Sequence, residues 1–189
     1  MTLPELHLPS RLLAGGGPSM PDPRVLQAMA MPLIFTRIMD EVMELARCVF
    51  LTRNARCFPV SGLASAGLEA VINTLLHPGD RIALQGSTEF VAETAAMARG
   101  YGIQVQAEIE PGVRALITEH TGESLTELAT SCHQLGYWLI VEATSTLGGR
   151  ELRVDDWGID AAVAGIDACL VGHLLNLPLP VSGRGLIQG

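Results

Sequence analysis

Lysine is missing from this chain. All 12 of its basic residues are arginine, although at a usage of roughly one residue in twenty about nine lysines would be expected at this length. At surface positions a genome that favours arginine codons accounts for the exchange. Inside a reactive site it does not, because only a primary amine condenses with a carbonyl compound, so chemistry that begins at a lysine nucleophile is excluded. Long apolar runs are also missing. The composition is 48% hydrophobic with a positive mean hydropathy, yet no run reaches the roughly 20 residues needed to span a bilayer. The apolar excess is therefore read as a buried oligomer interface. Nor is there a basic excess: the net charge of -8 and the pI near 5.0 argue against nucleic acid or an anionic membrane as partner. The Met-Thr-Leu-Pro-Glu start lacks the charged and apolar regions of a signal peptide, which makes the cytoplasm the default location.

The four cysteines, Cys48, Cys57, Cys132 and Cys169, show no C-x-x-C spacing and sit beside apolar residues, the pattern of buried free thiols. Cys132 and His133 could be imagined with His120 around a metal, but no fourth ligand suggests itself, and no metal site is expected.

What is present is an alternation of short apolar strands with helices. Apolar runs at residues 81–84, 103–107, 113–118 and 138–141 read as strands, and residues 56–62 as the end of another. Helices are expected over residues 25–31, 37–50, 66–76, 92–101 and 125–135, with Gly102 as a C-cap. At 189 residues this suits one domain, a three-layer α/β/α sandwich around a mostly parallel sheet. The strand at 138–141 delivers Glu142 to its carboxyl end, where open α/β sheets place their ligands. A turn of small residues, Ser61 to Gly67, opens the helix at 66–76 and could cup an anion or simply pack.

The stretch from 138 to 170, WLIVEATSTLGGRELRVDDWGIDAAVAGIDACL, resembles the large domain of the class V (fold type I) pyridoxal-phosphate aminotransferases, nearest the alanine:glyoxylate and serine:pyruvate group. In that family the strand ends in an Asp that pairs with the cofactor's pyridinium nitrogen, and a Ser-Gly-Ser-Gln-Lys-type motif supplies the Schiff-base lysine. Glu142 stands at the Asp position and Ala168 at the Lys position, without a gap between them. The resemblance extends along the chain. Ser61, Gly62 and Ser65 match the family's phosphate cup, with Leu63 and Ala64 departing from it. Phe90 matches the ring that stacks on the pyridine. Glu93 stands where the family often has Arg.

Other matches are trimmed. Gly16 replaces a proline in the Gly/Pro-rich loop at 12–23, and the connections at 32–36 and 108–124 are shorter than the family's. By the resemblance, residues 1–189 are expected to form a single, compressed large domain without the family's small C-terminal domain. The resemblance, with Ala168 in place of lysine, implies a pseudoenzyme: a binding, scaffold or regulatory subunit without transaminase chemistry and without a cofactor. It would be a homodimer, or a heterodimer with a full-length aminotransferase or pathway enzyme. Two alternatives stay open. One is an enzyme of altered chemistry, using Glu142, Asp167 or His173 on a ligand in the former cofactor pocket. The other is residual activity with pyridoxal phosphate, or another small anion, held noncovalently.

Overall fold

The computed structural model describes residues 22–29, 35–106 and 111–166. Asp167, Ala168, Cys169, His173 and the Gly/Pro-rich loop up to Pro21 lie outside the described residues. The elements follow as α1 (Pro23–Met29), α2 (Phe35–Val49), α3 (Ala64–Leu75), β1 (Arg81–Gln85), α4 (Thr88–Gly100), β2 (Gln104–Gln106), β3 (Ala115–Glu119), α5 (Thr126–Gln134), β4 (Trp138–Glu142) and β5 (Ala161–Val163). The five strands form one parallel sheet in the order β2-β1-β3-β4-β5.

Alternation along the strands builds two cores. Leu116, Leu139, Val141 and Ala162 point to one face, where Ala129 and Cys132 of α5 and the end of α2 cover them. Ile82, Ala115, Ile117, Ile140, Ala161 and Val163 point to the other, under α3 and α4. Helices on both faces are what an all-parallel sheet requires, because its strands are apolar on both sides. The three-layer α/β/α sandwich expected from the sequence is thus the observed architecture.

Two helix ends show how local sequence sets the element boundaries. After α4, Gly102 takes a φ of 73°, its N–H donates to Arg99 O, and that of Ile103 donates to Ala98 O. After α5, Gly136 at φ 78° repeats the pattern, with its own N–H on His133 O and that of Tyr137 on Cys132 O. Both are Schellman stops, in which a left-handed glycine lets the chain turn back and satisfy carbonyls the helix leaves open. At the other end, α4 starts four residues before the sequence suggests. The Ser87 hydroxyl caps it by accepting from the Phe90 N–H at 3.3 Å.

The strand expected at residues 56–62 does not form. Pro59 has no N–H to give a ladder. Phe58 and Val60 are exposed, with only Cys57 of this segment buried in the core.

Candidate functional site

The strand order fixes where a site can be. From β1 the chain crosses through α4 to β2 at one edge. It then returns past β1 to β3 and continues through α5 to β4 and β5. The direction of winding reverses between β1 and β3, and at such a switch point the loops beyond the strands' carboxyl ends part to leave a crevice.

A cavity of about 250 Å³ lies there, lined among others by Ser65 of α3, Ser87 and Phe90 after β1, Thr94 of α4, Glu119 at the end of β3, and Glu142 and Thr144 after β4. Of the residues expected from the sequence, Ser65, Phe90 and Glu142 are brought together on its wall. Ser61 and Gly62 sit in the turn leading to α3, exposed, and are not among the lining residues. Gly62 is at φ 154°, and a Cβ there would come within 2.8 Å of Ala66 Cβ, so even alanine would force this turn to shift. Phe90 both lines the cavity and packs on the core under α4.

Glu142 is held from its own loop. The Thr144 N–H donates to Oε1 at 3.0 Å, and the Thr144 hydroxyl donates to the same oxygen. That hydroxyl in turn accepts from the Gly165 N–H at 2.7 Å. The acid is therefore tied through one threonine to the segment that leads from β5 toward position 168.

Glu119, Glu89 and Thr94 were missed by sequence reasoning. The strand signal stops at Thr118, while pairing carries β3 one residue further and sets Glu119 beside Glu142 in register. One Glu119 oxygen accepts from the Ser87 N–H at 2.9 Å. Behind these acids stands His120, fully buried, with Nε2 3.1 Å from the Glu123 carbonyl and Nδ1 2.7 Å from the Thr146 hydroxyl. A carbonyl oxygen can only accept, so Nε2 carries a proton, while the Thr146 hydroxyl pairs with Nδ1 and also lies 3.4 Å from the Ala143 carbonyl. His120 is thus spent on bracing the turn after Glu142. Among the described residues no group of His, Cys, Asp and Glu could hold a metal ion. Cys57 and Cys132 are buried free thiols, and burial raises the Cys57 pKa to about 11.

No protein-family model matches the chain. Individual relatives do. Over 195 residues it is 31% identical to the (S)-ureidoglycine–glyoxylate transaminase of Bacillus subtilis, covering 88% of this chain and 47% of that one. Over 214 positions it is 32% identical to the alanine–glyoxylate aminotransferase of Drosophila melanogaster, covering 97% of this chain and 54% of the relative. The chain is a homologue of the class V glyoxylate aminotransferases. Its fold agrees. The crystal structure of the ureidoglycine–glyoxylate aminotransferase from Bacillus subtilis superposes with a TM-score of 0.79 at 32% identity, over 89% of this chain and 51% of that one. The alanine–glyoxylate aminotransferase from Nostoc sp. gives 0.77 at 29% identity, over 88% of this chain and 52% of that one. This homologue spans about half the length of the curated relatives it matches. The Drosophila match extends over 214 positions against 189 residues here, so that aminotransferase carries segments within the matched region that this chain lacks.

These relatives correct one expectation. The sequence reading assigned no cofactor, whereas the homologues are aminotransferases of the pyridoxal-phosphate fold, and the family thereby implies that group at this cavity. The residues present fit it in part. Leu63 caps α3 without a side-chain hydrogen bond, and the Ala66 N–H donates to Leu63 O at 2.9 Å, so the Ala64 and Ser65 N–H groups are what the first turn leaves toward an anion. Phe90 offers a ring, and Glu142 a carboxylate fixed in place by Thr144. No described lining residue carries an amine.

Proposed function

We propose that this chain is a non-transaminating homologue of the glyoxylate aminotransferases, a pseudoenzyme subunit that holds a pyridoxal-type ligand noncovalently and assembles as a dimer. The observation that carries the reading is Ala168 at the position where the family resemblance puts the reactive lysine, in a chain with no lysine elsewhere. When bound, pyridoxal phosphate supplies an electron-withdrawing ring and an aldehyde; amino-group transfer also needs an amine to anchor the group and to move its proton. In this chain Ser65 and the start of α3 would bind the phosphate, Phe90 would cover the ring, and Glu142 would orient it through the ring nitrogen. Alanine at 168 can neither anchor the group nor carry a proton. Glu142, one methylene longer than aspartate, also displaces its carboxylate by about a bond length, and a misplacement on the order of 1 Å can cost ~100-fold in rate.

Support for assembly comes from α2. Ile38, Val42 and Leu45 form one stripe along it and remain 37%, 36% and 39% exposed, an apolar face suited to a second copy of the chain.

The test is covalent capture. Incubation with pyridoxal phosphate followed by borohydride is expected to modify no residue beyond the α-amine of the N-terminus, as peptide mapping would show, and alanine with glyoxylate to give no turnover. Ala168→Lys is expected to gain one reducible attachment. Wild-type turnover of alanine and glyoxylate would sink the reading.

A further inference from the structure

The cavity that the proposed function assigns to a noncovalent ligand has a charge pattern that a phosphate-holding pocket does not explain. Four carboxylates line it, Glu89, Glu93, Glu119 and Glu142, and no arginine or histidine does. Two of them are neighbours by construction. Glu119 and Glu142 are register partners on parallel strands, so their side chains leave the sheet on the same face from strands about 4.8 Å apart. Like charges placed side by side in this way repel. Glu142 is engaged by Thr144, whereas among the described residues Glu119 has only the Ser87 N–H, on one of its two oxygens. Among the described residues neither Glu89 nor Glu93 forms an ion pair.

A second observation is independent of charge. Thr94 is 2% exposed and lines the same cavity. Its hydroxyl makes no hydrogen bond among the described residues, unlike those of Thr74 and Thr130, which bond back to the helix carbonyl four residues earlier. A threonine this deep in a cavity wall, with a hydroxyl that is not among the fully enclosed unpartnered atoms, opens that hydroxyl to the cavity and leaves it for a ligand.

We propose that this cavity selects for a small aromatic ligand carrying a protonated amine: the ring lies against Phe90, the ammonium is taken up by Glu119 with Glu89 and Glu93 around it, and the Thr94 hydroxyl meets a polar group of the ring. The amine form of a pyridoxal-type ligand meets this description and the aldehyde form does not. The selection rests on the reading of the cavity as a ligand-holding site, and it adds which chemical form is held.

Equilibrium dialysis of the full chain against pyridoxamine and pyridoxal at neutral pH separates the two statements, because these probes share a ring, lack the phosphate and differ in the amine. Pyridoxamine is expected to bind at least tenfold more tightly. Raising the salt to roughly 0.5 M shortens the screening length and is expected to erode the preference in the unaltered protein. The combined variant Glu89→Gln, Glu93→Gln, Glu119→Gln is expected to abolish it. Equal or tighter binding of pyridoxal, or a preference indifferent to both salt and the glutamines, overturns the amine selection while leaving a ligand-holding site. If neither probe nor pyridoxal phosphate binds, the ligand-holding reading falls and the selection with it.

Discussion

Asp155 stands where the turn after Leu152 meets the end of α2. Its Oδ1 accepts from the Thr52 hydroxyl at 2.8 Å, and its Oδ2 is buried without a hydrogen-bond partner. Burial is the main cause that pushes this carboxyl above its ordinary range, against the opposing hydrogen bond from Thr52. The folded state then holds its proton more tightly than the unfolded chain, so this group's contribution to stability falls as pH rises from the ordinary Asp value of about 3.9 through the raised one. Asp155→Asn keeps an oxygen for Thr52 and removes the buried charge. It is expected to stabilise the protein slightly at pH 7, by well under about 1 kcal/mol because the site is partly screened by solvent, a gain that shrinks toward pH 4, as urea denaturation at the two pH values would show. A variant no more stable than wild type at pH 7 would mean that Oδ2 is solvated in solution.

Single residues also mark where the sequence was legible. Glu142 could be placed at the cavity because it ends a clear strand signal, whereas Phe90 was reached only through the family resemblance. Thr94 could not, since its role depends on which face of α4 meets the cavity, and that is fixed by packing.

At the scale of elements, the two glycine stops give a graded expectation. Both Gly102 and Gly136 are left-handed, a conformation that costs an L-residue roughly 1–2 kcal/mol. A Cβ at Gly136 would meet nothing within 4 Å, whereas one at Gly102 would stand 3.3 Å from Pro78 Cβ. Gly136→Ala should therefore lose about 1 kcal/mol and Gly102→Ala more, measured by chemical denaturation; equal losses would show that Pro78 yields freely.

The sequence reading located the helices and β1 to β4 to within a few positions, because apolar period and caps are local properties, and did not read the short β5 as a strand. It failed at residues 56–62, where β-type residues precede Pro59. A strand exists only if a neighbouring strand can pair with it, and composition cannot supply that neighbour. It also could not give the strand order, which rests on long-range packing, nor the register that sets Glu119 beside Glu142.

At the scale of the whole molecule, the parallel sheet is covered on both faces, yet among the described residues α2 reaches the core through Ala46 and Val49 near its end, with Met39 and Met43 half-buried before them. Ile38, Val42 and Leu45 recur at helical spacing on the part that projects beyond it, flanked by Arg37, Asp40, Glu41 and Glu44. A helix with a charged face and an apolar stripe still open to water gains by meeting its own copy, since each aliphatic side chain fully removed from water is worth about 1.5–3 kcal/mol. Among the described residues no helix is long and apolar enough to cross a membrane, so a bilayer-spanning role does not explain this stripe.

Val42→Glu replaces the middle of the stripe with a charge that would face its like across a two-fold axis. A loss on the order of 1–2 kcal/mol per subunit doubles in the dimer and weakens association roughly 30-fold or more. Sedimentation is expected to show a dimer for the wild type and a monomer for the variant. Helix content and melting should be nearly unchanged at low concentration, because the stripe lies outside both cores. A wild type that sediments as a monomer, but pairs with a full-length aminotransferase through the same valine, would move the surface from self-association to a mixed assembly; a Val42→Glu that unfolds the isolated chain would place the stripe in the core instead.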